Sequence, residues 1–448
     1  MNNILSEKDY QKYILEKLSG IGYEVLPAKD HYDRLFAISR PELLRFLEDT
    51  QPEKMASLRK IYKGDTDDTI IGAINTEETK TRGSRIGVLK HGLDISNIHL
   101  DLLYTKPATT FNKELNVLYG KNIFSVCEEV WASDNERIDL VIFLNGLAIM
   151  SFELKANTAG QSYQDAIYQY RTQRDPKTRL FRFKAGTLVN FAMDLNECYM
   201  TTKLSGESTF FLPFNQGNGE GIYAGAGNPV AEDDFSVHYM WDNILQKDSV
   251  LEIITKFMFI ETLEEVDELT GKKKIKETVI FPRYHQLDVL RKILEDVYVN
   301  GSSQNYLLQH SAGSGKTNEI AWLSYRLASL HDAKNKIIFD NIVICTDRIV
   351  VDRQLQKAVL SLDHKSGFIR VMDDNCDSGD LAKALAGNTK ISVTTIQKFP
   401  YIVDMVKELS AKRTIEAMIV SRLNLKAGIT DCVSQSIEII PCGKVTLK

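Results

Sequence analysis

The sequence predicts two bodies in tandem: an α/β or α+β domain, then a parallel α/β sheet built around a phosphate-type loop. Three observations carry this. Residues 1–250 open with helical periodicity, pass through short strand-like runs and return to helix, the order of an α/β or α+β domain. From residue 281, helix, strand, glycine loop, helix and strand alternate, the mark of a parallel α/β sheet. Between them, EEVDELTGKKKIKE is a charged, glycine-containing run suited to a connector or exposed hairpin, and residues 251–280 are read as that connector.

The elements follow in order. SEKDYQKYILEKL, residues 6–18, reads as a helix capped by Ser6 with Asp9 three residues on, and RPELLRFLEDT as a second helix with Pro41 near its start. Residues 64–95 read as polar and irregular. Strands are expected at IHLDLLY, NIFSVCEEVWA, the hairpin IDLVIFLNGLAIMSFELKA, YMTTKL and TFFLPF. FNQGNGEGIYAGAGNPVAEDD (214–234) reads as a mobile surface loop and residues 241–263 as helical.

Composition bounds the function. With 43% hydrophobic and 26% charged residues in 448, the chain is globular. No run approaches the ~20 apolar residues of a membrane span. The amino terminus lacks a basic segment followed by an apolar one, so a cytoplasmic protein is expected, with no membrane partner. The six cysteines are scattered, without C-x-x-C pairs or zinc spacing, and read as reduced thiols. A net charge of -5 does not advertise a nucleic-acid binder, but a local basic surface would suffice.

The hairpin at 138–156 carries Asp139, Glu153 and Lys155 between apolar runs joined by Asn145-Gly146. A two-residue turn would set Asp139 opposite Phe152 and send Glu153 to the other side of the sheet. A three-residue loop, Leu144-Asn145-Gly146, would place Asp139, Ser151, Glu153 and Lys155 on one face. It would leave Ile138, Leu140, Ile142, Ala148, Met150, Phe152 and Leu154 on the other. That clean partition favours the three-residue loop, with Asp139 diagonal to Glu153 at ~7–8 Å. Two carboxylates so close call for a cation between them, and hard oxygens suit Mg²⁺. Lys155 could then orient a water or stabilise charge on a phosphate. The bland alternative is a half-exposed hairpin laced by salt bridges.

The Asp…Glu-x-Lys pattern resembles the PD-(D/E)xK nuclease core, with Ile138 in place of the proline before the aspartate. The resemblance implies that Asp139 and Glu153 bind magnesium and that, with Lys155, they cut DNA. Gln164 and Tyr168, which share a helix face, resemble the Q-x-x-x-Y element of one branch of these nucleases; Gln169 is an equally plausible glutamine.

In NYLLQHSAGSGKTNEI a strand runs into Ala312, Gly313, Ser314, Gly315, Lys316 and Thr317, then a helix begins. Glycines there let backbone N–H groups curl around phosphate oxygens; Lys316 would reach the β/γ-phosphates and Thr317 would hold Mg²⁺. His310 stands where the strict P-loop pattern has glycine. Further pieces resemble superfamily 2 helicases. Arg283 and Gln286 are similar to the adenine-reading Q motif. Thr346, Asp347 and Arg348, and then Thr394, Thr395 and Gln397, are similar to strand-end motifs that touch nucleic acid.

A PD-(D/E)xK nuclease domain followed by an incomplete RecA-like motor lobe resembles the restriction (R) subunit of type I restriction–modification enzymes, over roughly residues 1–410. LDLLYTKPATTFN, YMTTKLSGESTFFLPFNQGNG and TTIQKFP are also similar to that family. The resemblance implies an ATP- and Mg²⁺-dependent endonuclease that acts on double-stranded DNA and joins modification and specificity subunits. The expected boundaries are a nuclease domain over 1–250, a partial ATP-binding lobe over 281–412, and a tail over 413–448 that departs from the family. The family's Asp-Glu-Ala-His is expected soon after TTIQKF. Ile415-Glu416-Ala417 is the nearest echo, and Asp404 precedes methionine. The tail is therefore read as foreign to a truncated R subunit, able to bind ATP but without translocation. A chain that only binds nucleotide or docks to modification subunits is the alternative.

Overall fold

The computed structural model describes residues 6–446 except 110, 158–159, 219–225, 267–272, 302–303, 312, 347–348, 363–366, 373–375, 396–413 and 425–434. The chain divides into two compact units: residues 1–107 with 111–285, and residues 286–448 as the bulk of the second. Ala312, Asp347, Arg348, Gln397, Asp404 and part of the 214–234 loop lie outside the described residues.

The first unit is built on one mixed sheet. Helix α1 (Glu7–Gly20) starts where Ser6 accepts a hydrogen bond from the Asp9 amide, as its sequence predicts. It buries Tyr10, Ile14 and Leu18, each contributing ~1.5–3 kcal/mol of apolar burial. Strands β1 (Glu24–Pro27), β2 (Phe124–Ser133), β3 (Glu136–Leu144), β4 (Leu147–Leu154), β5 (Val189–Met193), β6 (Cys198–Thr201) and β7 (Leu212–Pro213) lie side by side in chain order. The pairs β2–β3 and β3–β4 are antiparallel. β4 and β5 run parallel, so the chain must cross over between them. Helix α2 (Tyr163–Thr172) makes that crossover, closed at its start by a capping box of Ser162 and Asp165.

Several expectations change. The segment 64–95 is not irregular: Thr66–Thr79 and Arg85–His91 are helices. Thr, Asp and Gly lower the intrinsic propensity of the first, but burial of Ile70, Ile71 and Ile74 outweighs it. IHLDLLY supplies only Ile98–Leu100, paired with Leu93–Ile95, and TFFLPF only the two residues of β7. The strands β1 and β5 are additional to the expected elements. Helix in 241–263 stops at Phe257, and Phe259–Val266 pairs with Lys273–Ile280 as a hairpin.

The second unit holds α3 (Tyr284–Asn300), β8 (Tyr306–His310), α4 (Lys316–Ala328), β9 (Asn341–Thr346), β10 (Ile369–Val371), β11 (Ile391–Thr395), β12 (Thr414–Asn424) and β13 (Gln435–Thr446). Its sheet runs β8-β13-β12-β9-β11-β10. β9, β10, β11 and β12 are parallel, and β13 is antiparallel to both neighbours. The segment expected to be a foreign tail thus supplies β12, beside β9. No helix of the described residues is long and apolar enough to cross a membrane.

Candidate functional site

The acids of the β3–β4 hairpin share a face, by a route other than the one expected. Asn145 (φ 50°) and Gly146 (φ 80°) form a two-residue turn, with Leu144 opposite Leu147 and Phe143 opposite Ala148. Two positive φ values match the right-handed twist of the strands and suit Asn-Gly. A Cβ on Gly146 would meet the Ser39 carbonyl oxygen at 2.5 Å, so no other residue fits. Immediately afterwards the register shifts, and Ile142 faces Met150. Ile149 is the extra residue of a β-bulge, and one extra residue restores the parity that a two-residue turn would have lost. Ala148 therefore belongs to the face of Phe143, not to the opposite one. The register continues through Leu140 opposite Phe152, which brings Asp139 directly opposite Glu153 instead of diagonal to it.

Both acids are buried, at 8% and 1% exposure. Oδ2 of Asp139 accepts a hydrogen bond from the Leu154 amide at 2.7 Å. Oε1 of Glu153 accepts one from Arg174 Nε at 2.7 Å, and Arg174 Nη2 lies 2.7 Å from the same oxygen. Each carboxylate thus commits one oxygen to the protein. Desolvation pushes the Asp139 carboxyl up to about 6, opposed by the Leu154 hydrogen bond. Desolvation and then the Asp139 charge hold Glu153 well above its ordinary range. Two buried acids that repel each other, each with a second oxygen uncommitted to any hydrogen-bond donor among the described residues, fit a shared divalent cation. No cluster of three His, Cys, Asp or Glu ligand atoms among the described residues includes them. A cation here would complete its shell with water and backbone carbonyls, as Mg²⁺ commonly does.

Lys155 is buried, and its Nζ donates to Glu7 Oε2 at 2.7 Å and to the Leu154 carbonyl at 2.9 Å. Gln11, also on α1, donates to the Asp139 carbonyl at 2.7 Å. Beside this edge lies a cavity of about 930 Å³ whose lining includes Glu7, Lys8, Gln11, Arg34, Trp131 and Arg137. Arg137 stacks over the half-exposed Trp131 ring and pairs with Glu129 at 2.6 Å. On α2 the inward residues are Ala166 and Tyr170, and Tyr170 shares a 2.8 Å hydrogen bond with Ser151. Gln164 and Tyr168 are on the exposed face, whereas Oε1 of Gln169 is buried without a hydrogen-bond partner.

In the second unit, Gly313 (φ 78°) and Gly315 (φ 89°) turn the chain from β8 into α4. Lys316 folds back on the loop, donating to the carbonyls of His310 at 2.8 Å and Ser311 at 2.6 Å and to Ser314 Oγ at 3.1 Å. Gln286 is buried and donates to the carbonyls of Ser314 and Gly315, so in this structure it braces the loop. His310 accommodates its departure from glycine by pairing with the buried Glu319 at 3.0 Å. Thr317 is half-buried, as is Arg283, which belongs to the first unit. Thr346 and Thr395 face each other at the strand ends of β9 and β11, and Thr394 is fully buried.

Residues 4–209 match the family described as the type I restriction enzyme R protein N terminus. Over these residues the chain is similar to the R protein family. Residues 285–421 match the SWI2/SNF2 ATPase family, so the match runs past the boundary expected near residue 412. Among curated relatives, a putative type I restriction enzyme MjaVIIIP endonuclease subunit of Methanocaldococcus jannaschii is 25% identical over 251 residues, covering 54% of this chain and 22% of that protein. The putative MjaVIIP endonuclease subunit of the same organism is 26% identical over 305 residues, covering 62% and 25%. The matched stretches thus span about a quarter of these relatives' length.

Two residues of this hairpin site escaped sequence reasoning. Glu7 sits on the first helix and Arg174 just beyond α2, and neither is near the hairpin in sequence. The available signal for Arg174 was weak: a charged residue closing a helix that must return over β4.

Proposed function

We propose that the first unit is a magnesium-dependent DNA endonuclease centre of a type I restriction enzyme. The second unit is, in this reading, its ATP-binding lobe. One observation carries the first part: Asp139 and Glu153 are buried face to face, each with one oxygen tied to the protein and the other without a donor among the described residues. Asp139 and Glu153 would hold the ion. Bound magnesium supplies Lewis-acid polarisation of a phosphate and a water of lowered pKa. Lys155, held by Glu7, sets an ammonium where charge develops on a phosphate oxygen. Lys8 and Arg34 line the neighbouring cavity and offer contacts to a DNA backbone. In the second unit, Lys316 would exchange the loop carbonyls for β/γ-phosphate oxygens, and Thr317 would hold the nucleotide's magnesium. Modification and specificity subunits would supply the recognition sequence, consistent with the endonuclease-subunit names of the relatives.

The test is incubation of the purified chain with Mg²⁺ and plasmid DNA, with and without modification and specificity subunits, beside Asp139→Ala. Cleavage that the substitution abolishes is the expected result. No cleavage even with all subunits present overturns the endonuclease reading.

A further inference from the structure

Arg174 cannot itself ligate a cation, yet it is buried against Glu153 with two nitrogens on one oxygen. Its Nη2 also donates to the Arg137 carbonyl at 2.8 Å, which fixes the guanidinium plane to β3. The guanidinium therefore cannot swing away without losing a backbone contact. Oε1 of Glu153 is closed to any ion, and Oε2 alone is left. The Leu154 amide occupies one lone pair of Asp139 Oδ2 and leaves the other open. Glu153 can thus coordinate only through a single oxygen.

That restriction discriminates between cations. Ca²⁺ takes six to eight oxygens at about 2.3–2.6 Å and commonly uses bidentate carboxylates, while Mg²⁺ is octahedral at about 2.0–2.1 Å with single carboxylate oxygens and waters. Mn²⁺ suits the same octahedral oxygen set. We propose that Arg174 is a specificity-determining residue, which selects small octahedral cations over Ca²⁺ by holding Glu153 to one-oxygen coordination. This rests on the reading that Asp139 and Glu153 share a cation.

The experiment measures binding, not cleavage. The nucleotide-free 448-residue chain is titrated with Mn²⁺, followed by electron paramagnetic resonance of the free ion, and Ca²⁺ is then added as competitor. Asp139→Ala defines binding elsewhere on the chain. In the parent, Ca²⁺ should displace Mn²⁺ poorly. In Arg174→Gln, with Oε1 released, the Ca²⁺-to-Mn²⁺ affinity ratio should rise about tenfold or more. Arg174→Lys keeps the buried charge without the fork, and its ratio should rise at least about threefold. This second variant decides the matter if Arg174→Gln does not fold. A ratio within about twofold of the parent in the folded variants overturns the role of Arg174 and leaves the shared cation standing. Absence of any Asp139-dependent Mn²⁺ binding in the parent overturns both.

Discussion

Arg85 Nη1 donates to the carbonyl of Ala148 at 2.9 Å, at the step where β4 takes in its extra residue. The same nitrogen bonds the Ala37 carbonyl at 3.1 Å, and Nε meets Glu78 at 2.7 Å with both side chains fully buried. A bulge leaves a carbonyl outside the regular ladder, and here a buried guanidinium receives it. The register that sets Asp139 against Glu153 is therefore held from a helix start about 60 residues earlier in the chain.

Arg85→Met should accordingly be among the most damaging single changes in the first unit. It strips Glu78 of one buried partner, leaving Arg179 alone, and frees the Ala148 carbonyl. Breaking a buried pair costs about 3–5 kcal/mol. Urea unfolding followed by tryptophan fluorescence should show a loss of that order. A change under about 1 kcal/mol would mean that the bulge is held by the strands themselves.

Cation binding should be visible as stability. A ligand that binds only the folded chain adds RT ln(1 + [L]/Kd), about 2.7 kcal/mol at a hundredfold excess over Kd. Mn²⁺ should raise the melting temperature of the nucleotide-free chain by several degrees, and Asp139→Asn should abolish the rise. An equal rise in parent and variant would place the stabilising ion elsewhere.

The sequence made the side of the sheet legible but not its cause. Alternation of Asp139, Glu153 and Lys155 against Leu140, Phe152 and Leu154 is a period-2 signal, strong because the opposite face is wholly apolar. The bulge at Ile149 left no trace, because nothing in ALA-ILE-MET distinguishes a bulged strand from a straight one. Arg174 and Glu7 were illegible for another reason: they reach the site through tertiary packing. In the second unit, AGSGKT announced its loop since glycine is needed where φ is positive. The bracing by Gln286 depends on how α3 packs, and no local pattern encodes it.

Glu42 gives a pH signature outside the site. It is the third residue of the helix Arg40–Thr50, 2% exposed, and neither carboxyl oxygen has a hydrogen-bond partner. Desolvation raises its pKa; the hydroxyls of Ser125 and Ser39 offset part of the rise without a hydrogen bond of ordinary geometry. A raised folded-state pKa means that the folded chain keeps this proton longer than the unfolded chain does. The cost is absent below the ordinary glutamate range, about pH 4, grows as pH rises through the folded-state value, and is complete above it. Glu42→Gln should therefore unfold at higher urea than the parent at pH 7.5, with the gap closing towards pH 4. A gap that widens on acidification would show that the carboxylate is stabilised by its surroundings.

ATP should bind to the second unit without being turned over rapidly. In a phosphate-loop ATPase the acidic pair stands where the parallel strands end, beside the loop. β8 ends at His310, which pairs with Gln435, and Gln435 pairs with Asn424, so the loop is level with the end of β12. Ala417 is instead opposite Asn341, where β9 begins, while Arg422 is opposite Thr346, where it ends. Glu416 is thus eight strand residues from Asn424, roughly 25 Å at strand rise, towards the opposite end of β12. The positions at the loop edge are Arg422, Leu423 and Asn424, none of them acidic. A fluorescent ATP analogue should bind the parent and lose at least about tenfold in affinity in Lys316→Ala, while phosphate release stays at background with or without DNA. Robust DNA-stimulated hydrolysis that Lys316→Ala removes would mean that the magnesium–water shell is held by residues other than β12.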